Sequence, residues 1–362
     1  MTNSTEYSPE FRLILSLLSE PEIRPAAPFD IDWAEFFRLI RRHRIDGLAA
    51  NLLLQNELLK TFVPAEAFAG FAEMQRQSLA REMASLVEAK SILNILAAND
   101  LEPILLKGLT LSHGAFGRIG WRNNYDTDIL LHPDDIPAAD RLLRKQGYAR
   151  FEPGEDVSER AWAAWRRRRK DAAYRNDKTG SVIELHWRLF DNRAVMKGPF
   201  PTTKVTLLGN LDCVMLEPDF NVAYVCCHGS QHAFSRLKWL ADVYFLARKS
   251  SGDDLTALYG AVDDSYTRAA MAQALLLCNK FFALPLPAAL VEDGVFKKRN
   301  VRLAAWMAEK TLTRGGSREI ESLPFGATLK TLSHYVMSPA PAYLAQEAVF
   351  DLREKFHKRA TI

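Results

Sequence analysis

Apolar residues recur at three- and four-residue spacing through the first hundred positions, the period of helices that each bury one face. The spacing predicts helices over 9–24 and 32–98. Within the second stretch, Asp32 to Leu59 carries the pattern, Pro64 interrupts it, and a run from Ala65 to Asn99 resumes it. That run is rich in Ala, Leu, Glu, Gln and Met, all strong helix formers. The pattern then shortens. Pro103-Ile104-Leu105-Leu106 is a brief apolar run that ends at Lys107-Gly108, and a helix-like stretch follows from Leu109 to Phe116. Asn123 and Asn124 mark a turn before Asp128-Ile129-Leu130-Leu131, which reads as a strand. Pro133 to Gly147 predicts a helix, and Tyr148 to Phe151 another strand. Lys170 to Arg175 and Ser181 to Arg188 read as a strand pair around the hairpin loop Asn176-Asp177-Lys178-Thr179-Gly180.

After residue 210 helical periodicity returns. It covers Asn221 to Arg248, Asp254 to Phe281 and Lys297 to Thr311, with a loop at Gly315-Gly316-Ser317 and at least two short helices in 326–356. The expected fold class is therefore α+β. A small mixed-sheet core at 99–210 is flanked by a helical N-terminal region, 1–98, and a helical C-terminal domain, 211–362. No internal repeat is evident, and no Gly-x-Gly-x-x-Gly follows a strand, which argues against a dinucleotide-binding domain.

Composition narrows the picture only a little. A length of 362 residues, 48% of them hydrophobic and 25% charged, suits a globular protein of two or three domains. No stretch approaches the roughly 18 apolar residues of a membrane span. The opening MTNSTEYSPE lacks a basic start followed by an apolar run, so the expected location is the cytoplasm. A net charge of +3 does not advertise a bulk nucleic-acid binder. Cys213, Cys226, Cys227 and Cys278 have no ligand-like spacing, which argues against a zinc or disulfide framework.

Candidate chemistry centres on Asp126-Thr127-Asp128. Side chains alternate along a strand, so the two carboxylates share a face at its start. Two nearby like charges resist joint ionisation, and a divalent cation such as Mg2+ is a natural partner. Two solvent-facing turn residues would give the same pattern. Lys107-Gly108, about twenty residues upstream, joins a cation to a glycine that permits close backbone approach. The helix that follows offers an N-terminus for phosphate. Arg122 stands four residues before Asp126, placed to orient an Asp or bind a triphosphate. In Val182-Ile183-Glu184-Leu185-His186-Trp187-Arg188, Glu184 and His186 share one face and Ile183, Leu185 and Trp187 the other. Glu184 is the candidate third carboxylate. An ordinary half-buried strand has the same alternation.

On the predicted helix from Asn221 to Arg248, His228, His232, Arg236, Trp239 and Asp242 fall roughly on one face. That face is expected to line a substrate cleft, or to be a polar network that docks the helix. Gly229-Ser230-Gln231 lie between the two His, without the Glu of a zinc peptidase. Arg166 to Lys170 is a run of five basic residues preceded by Trp162 and Trp165. It reads either as a polyanion contact or as a solvated face.

Three blocks, LKGLTLSHGAFGRIGWRNNYDTDILLHPDD, IELHWRLF and HGSQHAFSRLKWLADVYFL, in that order, resemble the uncharacterised nucleotidyltransferase-like family of bacterial proteins. That family is similar to the polymerase-beta-like nucleotidyltransferase superfamily, and the resemblance runs from about residue 30 to 250. It implies that Lys107-Gly108 stands at the phosphate loop, and that Arg122, Asp126 and Asp128 form an Arg-x3-Asp-x-Asp signature. It further implies that Glu184 is the third acid, and that His186 and Trp187 are the family's His-Trp pair. Leu109 replaces the superfamily's usual Ser, with Thr110 one residue later, and Glu replaces the more usual Asp as third acid.

The resemblance implies a metal-dependent nucleotidyltransferase with a nucleotidyltransferase-like core. Asp126, Asp128 and Glu184 would bind Mg2+ (or Mn2+); Lys107, Gly108, Arg122 and His186 would bind the nucleotide; His228, His232, Arg236 and Asp242 would line the substrate cleft. The co-substrate is an NTP, with ATP the default expectation, and the acceptor is a small molecule, a tRNA or a protein. Related phosphoryl transfer at the same metal site is one alternative. A degenerate scaffold that binds a nucleotide or a protein without turnover is another.

Overall fold

The helices begin where capping side chains satisfy the first free backbone N–H groups. Asp32 accepts from the Glu35 N–H at 3.0 Å to open helix Trp33–Arg42. Asp264 accepts from the Thr267 N–H at 2.7 Å to open helix Ser265–Phe282. Ser251 and Asp254 form a reciprocal capping box at the start of helix Gly252–Ala261. The computed structural model describes residues 7–19, 30–338 and 340–349. The helix expected over 9–24 is seen as Pro9–Ser19, and residues 20–24 lie outside the described residues. In the C-terminal stretch expected to be helical, Gly326–Met337 and 341–349 are helical, and Pro339 and 350–356 lie outside the described residues.

The chain divides into two compact units, each assembled from separate stretches. The first draws on residues 1–79, 120–123 and 219–344, and the second on 80–119, 124–218 and 345–362. Helix Ala65–Ala97, 33 residues long, contributes its earlier part to the first unit and its later part to the second.

The second unit contains a seven-stranded mixed sheet: β1 (Ile104–Leu105), β2 (Thr127–Leu130), β3 (Tyr148–Glu152), β4 (Asp171–Asn176), β5 (Val182–His186), β6 (Thr202–Leu207) and β7 (Leu211–Leu216). Its spatial order is β3-β4-β5-β2-β1-β7-β6. β2 runs parallel to β5 and β1 parallel to β7, and every other neighbouring pair is antiparallel. One face of the sheet is apolar. Ile129, Tyr174, Ile183 and Leu185 pack there against Leu86, Ala89, Leu93 and Leu96, whose three- and four-residue spacing is one stripe of the long helix. Helix Ile136–Lys145 adds Ile136, Ala139 and Leu143. The β6–β7 hairpin and helix Glu159–Arg168 go beyond the elements anticipated from the sequence.

The first unit is helical. Phe36, Phe71, Tyr224 and Phe282 are among its fully buried side chains. The continuous helix expected from Asn221 to Arg248 is instead two helices, Pro218–Gln231 and Leu237–Ala247. Ala233 (φ 50°) and Phe234 (φ 43°) adopt left-handed backbone. The Phe234 N–H donates to the Gly229 carbonyl and the Ala233 N–H to that of Ser230, the two bonds of a Schellman stop. Phe234 folds back over Gly229, where a Cβ would lie 2.2 Å from the ring. The stretch Asp254 to Phe281 is likewise two helices, divided just before Asp264.

Candidate active site on the polar face of the sheet

Strand register builds the site. The parallel β2–β5 pair sets Asp128 opposite Glu184 and Leu130 opposite His186. The antiparallel β4–β5 pair sets Asp171 opposite His186. Paired residues share a face and so do residues two apart, so Asp128, Glu184, His186 and Asp171 converge on one side of the sheet. Their neighbours Ile129, Ile183, Leu185 and Trp187 enter the core.

The contacts are close. The Lys107 ammonium lies 2.8 Å from Asp128 Oδ1, with 10% and 3% of the two side chains exposed. His186 Nε2 donates to the same oxygen at 3.0 Å and lies 3.4 Å from Glu184 Oε2. Lys170 forms an ion pair with Asp171, whose carboxylate is 3.9 Å from His186 Nε2. His186 is fully buried, and its Nδ1 has no hydrogen-bond partner among the described residues.

Burial alone would raise the Asp128 carboxyl, but Lys107 and then His186 overcome it and hold the group well below the usual carboxylate range. Burial and Lys170 both work against a charged His186, yet hydrogen bonds to Asp128 and Glu184 hold it above the ordinary imidazole value. Burial pushes Asp171 up, while Lys170, His186 and Arg169 together outweigh it and keep the group low. Burial and Lys107 disfavour the Lys170 charge, and Asp171, with Glu184 and Asp191, restores it.

The loop between β1 and the next helical turn presents Lys107. Lys107 (φ 28°) and Gly108 (φ 45°) both depart from right-handed backbone, and Gly108 sits where a Cβ would lie 3.7 Å from the Asp126 carbonyl. The helix expected over Leu109 to Phe116 is one turn, Leu109–Leu111, followed by a wide turn, Ser112–Phe116. The Thr110 hydroxyl donates to the Lys107 carbonyl at 2.9 Å, so it serves the loop's own backbone. Asp126 lies in the turn before β2 and is half-buried. The three metal-ligand candidates that the structure gathers are Asp128, Glu184 and His186, whose ligand atoms all lie within 4.8 Å of one another. Two carboxylates and one imidazole form a donor set that fits a divalent cation.

The remaining candidates belong to the first unit. Arg122 grips Asp242 with both arms of its fork, Nε to Oδ1 at 2.8 Å and Nη2 to Oδ2 at 3.0 Å, and both side chains are buried. His232 stacks on Trp239 with ring centroids 4.4 Å apart, and His228 meets His232 at 4.7 Å. Arg236 pairs with Glu319 at 3.0 Å. The turn at Ala233, and not a continuous helical face, gathers the two His and the Trp.

Asp171 joins the site without having stood out in the sequence, and Lys170, noted there only as the end of a basic run, joins with it. A usable signal existed: counting outward from the Asn176–Gly180 loop pairs Arg175 with Val182 and arrives at Asp171 opposite His186.

Known proteins share parts of this chain. The sequence profile of a family described as "Uncharacterised nucleotidyltransferase" matches residues 30–283, well over half of the chain. No curated protein matches the chain. Among solved structures, an antigenic nucleotidyltransferase-like protein from Paracoccidioides brasiliensis aligns at a TM-score of 0.34 and 14% identity, over 61% of this chain and 99% of that one.

Proposed function

We propose that this chain, which belongs to the uncharacterised nucleotidyltransferase family, moves a nucleoside monophosphate from an NTP to an acceptor hydroxyl or phosphate at the Asp128–Glu184–His186 cluster. The observation that carries this reading is the convergence, through strand register alone, of two carboxylates and an imidazole beside the Lys107 ammonium.

A divalent cation held by Asp128, Glu184 and His186 would supply charge neutralisation for the triphosphate and polarise its phosphorus–oxygen bonds. The imidazole nitrogen in the donor set suits Mn2+ better than Mg2+, which favours oxygen ligands throughout. Lys107, on its flexible stem, would exchange Asp128 for a phosphate oxygen and offset the charge there. Glu184 keeps 30% of its side chain exposed, which suits it to meet an incoming acceptor. Asp126, in the turn beside Gly108, would complete the acidic rim. Lys170 holds Asp171, and Asp171 helps keep His186 in position. ATP is the first donor to test.

One observation favours a second reading, a scaffold that binds without turnover. Lys107 already neutralises Asp128 directly, and Leu109 stands where the superfamily's hydroxyl donor would follow Gly108. The deciding assay incubates the full chain with each of the four NTPs, Mg2+ or Mn2+, and cell extract as acceptor source. Pyrophosphate release and label transfer are followed together. Transfer from one NTP that is lost in Asp128→Asn and in Glu184→Gln supports the enzyme. Metal-dependent NTP binding without release supports the scaffold, and absence of both sinks the nucleotide reading.

A further inference from the structure

The second unit contains a cavity of about 580 Å³ whose lining includes none of Lys107, Asp128, Glu184 or His186. Five cations line it: Arg166, Arg167, Arg188, Arg193 and Lys197. Its size lies within the range of small-ligand sites, roughly 300–1,000 Å³.

The positive charge there has little to balance it. Asp134 is the acid of the lining, and it lies 3.5 Å from His132. Glu152 and Asp191, nearby in the chain, approach Arg169 at 3.7 and 3.9 Å. Among the described residues, no ion pair within 4 Å joins any of the five cations to a carboxylate. The Nε atoms of Arg166 and Arg188 are buried without a hydrogen-bond partner among the described residues. Arg167, Arg193 and Lys197 are exposed to solvent, so the cost of an unpaired charge falls on the half-buried Arg166 and Arg188, where a bound anion would remove it.

A purely architectural role explains part of this arrangement. Arg188 donates to the carbonyls of Arg166 and Arg169, and Arg193 donates to that of Arg167 at 2.7 Å. Both therefore stabilise the C-terminal end of helix Glu159–Arg168, where cations are favourable. Arg166 also lies over the Trp162 ring, 5.8 Å from its centroid, while Arg167 and Lys197 reach solvent at the cavity rim without a carboxylate partner among the described residues. The same hydrogen bonds hold two guanidinium groups in place without consuming all their donors, so a ligand would meet a preformed charge array. Trp187, Phe190 and Phe200 also line the cavity and give it an apolar surface beside the charge.

We propose that this cavity binds a phosphate-bearing ligand of about nucleotide size, with the arginines taking the phosphate and the aromatic residues its apolar part. The site needs no metal and stands apart from the transfer reaction, so it survives or fails independently of it. The phosphate can come from a free mononucleotide or from the 5′ end of an RNA strand.

Calorimetry on the full chain in EDTA, at low and moderate salt, tests this. The probes are AMP, inorganic phosphate, and a short RNA strand with and without a 5′-phosphate. The expected result is saturable binding of AMP or of the phosphorylated strand, weakened by salt and reduced at least tenfold in Arg167→Ala/Lys197→Ala. Tighter binding of AMP assigns the free nucleotide, and tighter binding of the phosphorylated strand assigns the RNA end. Phenylglyoxal modification of the unaltered protein, read by mass spectrometry, keeps the test valid if the variant fails to fold. The bound probe should protect Arg166, Arg167 and Arg193 but leave the exposed Arg76 reactive. No saturable binding, no protection, or inorganic phosphate competing as well as AMP would overturn the proposal.

Discussion

Replacing Lys107 with methionine keeps the apolar stem and removes the charge that faces Asp128. At 2.8 Å and an effective dielectric of about 20, the gross attraction is roughly 6 kcal/mol. Three effects reduce the net loss. His186 still donates to the same oxygen, Lys170 is relieved of repulsion from Lys107, and no ammonium needs desolvating. Removing one partner of a buried pair costs about 3–5 kcal/mol, so the lower end, about 3 kcal/mol, is expected here. Because the chain has two compact units, one global unfolding transition cannot be assumed. Amide exchange of the β2 and β5 peptides, read by mass spectrometry, measures the local effect. The pH dependence has a definite sign. Asp128 is depressed in the native protein, so its contribution is complete above the ordinary carboxylate range and is lost only as pH falls through the depressed value. In the variant, His186 alone opposes burial, so that carboxyl sits higher than in the unaltered protein. The deficit is then full at high pH and closes as acid protonates Asp128. In a double-mutant cycle, Asp128→Asn should recover about 2 kcal/mol of the Lys107→Met loss. A deficit below about 1 kcal/mol at neutral pH, a deficit that widens as pH falls, or no coupling would refute the reasoning.

Gly229→Ala forces a methyl group against the buried Phe234 ring. It should cost about 1–3 kcal/mol, read as a lower melting temperature of the first unit. Arg122→Ala strands the buried Asp242 and should cost about 3–5 kcal/mol. Arg122→Lys recovers only part of that, because an ammonium cannot reproduce the two-armed grip; exchange in helix Leu237–Ala247 reports both. Burial pushes the Cys213 thiol up to about 12, and holds Cys226, Cys227 and Cys278 well above the usual thiol value. At pH 8 a disulfide reagent such as DTNB should therefore label essentially none of the four until denaturant is added.

What the sequence reveals and what it hides divide along a physical line. Alternation is a local rule, and by itself it sets Glu184 and His186 on the face opposite Ile183 and Leu185. The hairpin loop is local as well, and pairing out from it leads to Asp171. Partner choice across long separations is not local. Arg122 and Asp242 stand 120 residues apart, and no spacing rule links them, so an arginine beside an Asp-x-Asp pattern reads naturally as a phosphate ligand. The break after Gln231 is hidden for a different reason. A helix stop is usually announced by glycine in the left-handed position, but here Ala233 occupies it and the glycine sits four residues earlier, as room for Phe234. Helical periodicity therefore runs across a turn that has no breaker residue. The β6–β7 hairpin does carry a signal, Gly209-Asn210 between Thr202–Leu207 and Leu211–Leu216. It stands at the edge of a helical region and is easily absorbed into it. The same contrast bears on the metal. The pleat alone favours Asp126 as the companion of Asp128, two residues away on one strand. The parallel register of β2 and β5 brings Glu184, already the candidate third acid, beside Asp128 and adds His186 from the same neighbouring strand. A ligand set drawn from two strands depends on sheet register, which a one-residue slip would reverse, so the site is only as secure as the core face behind it.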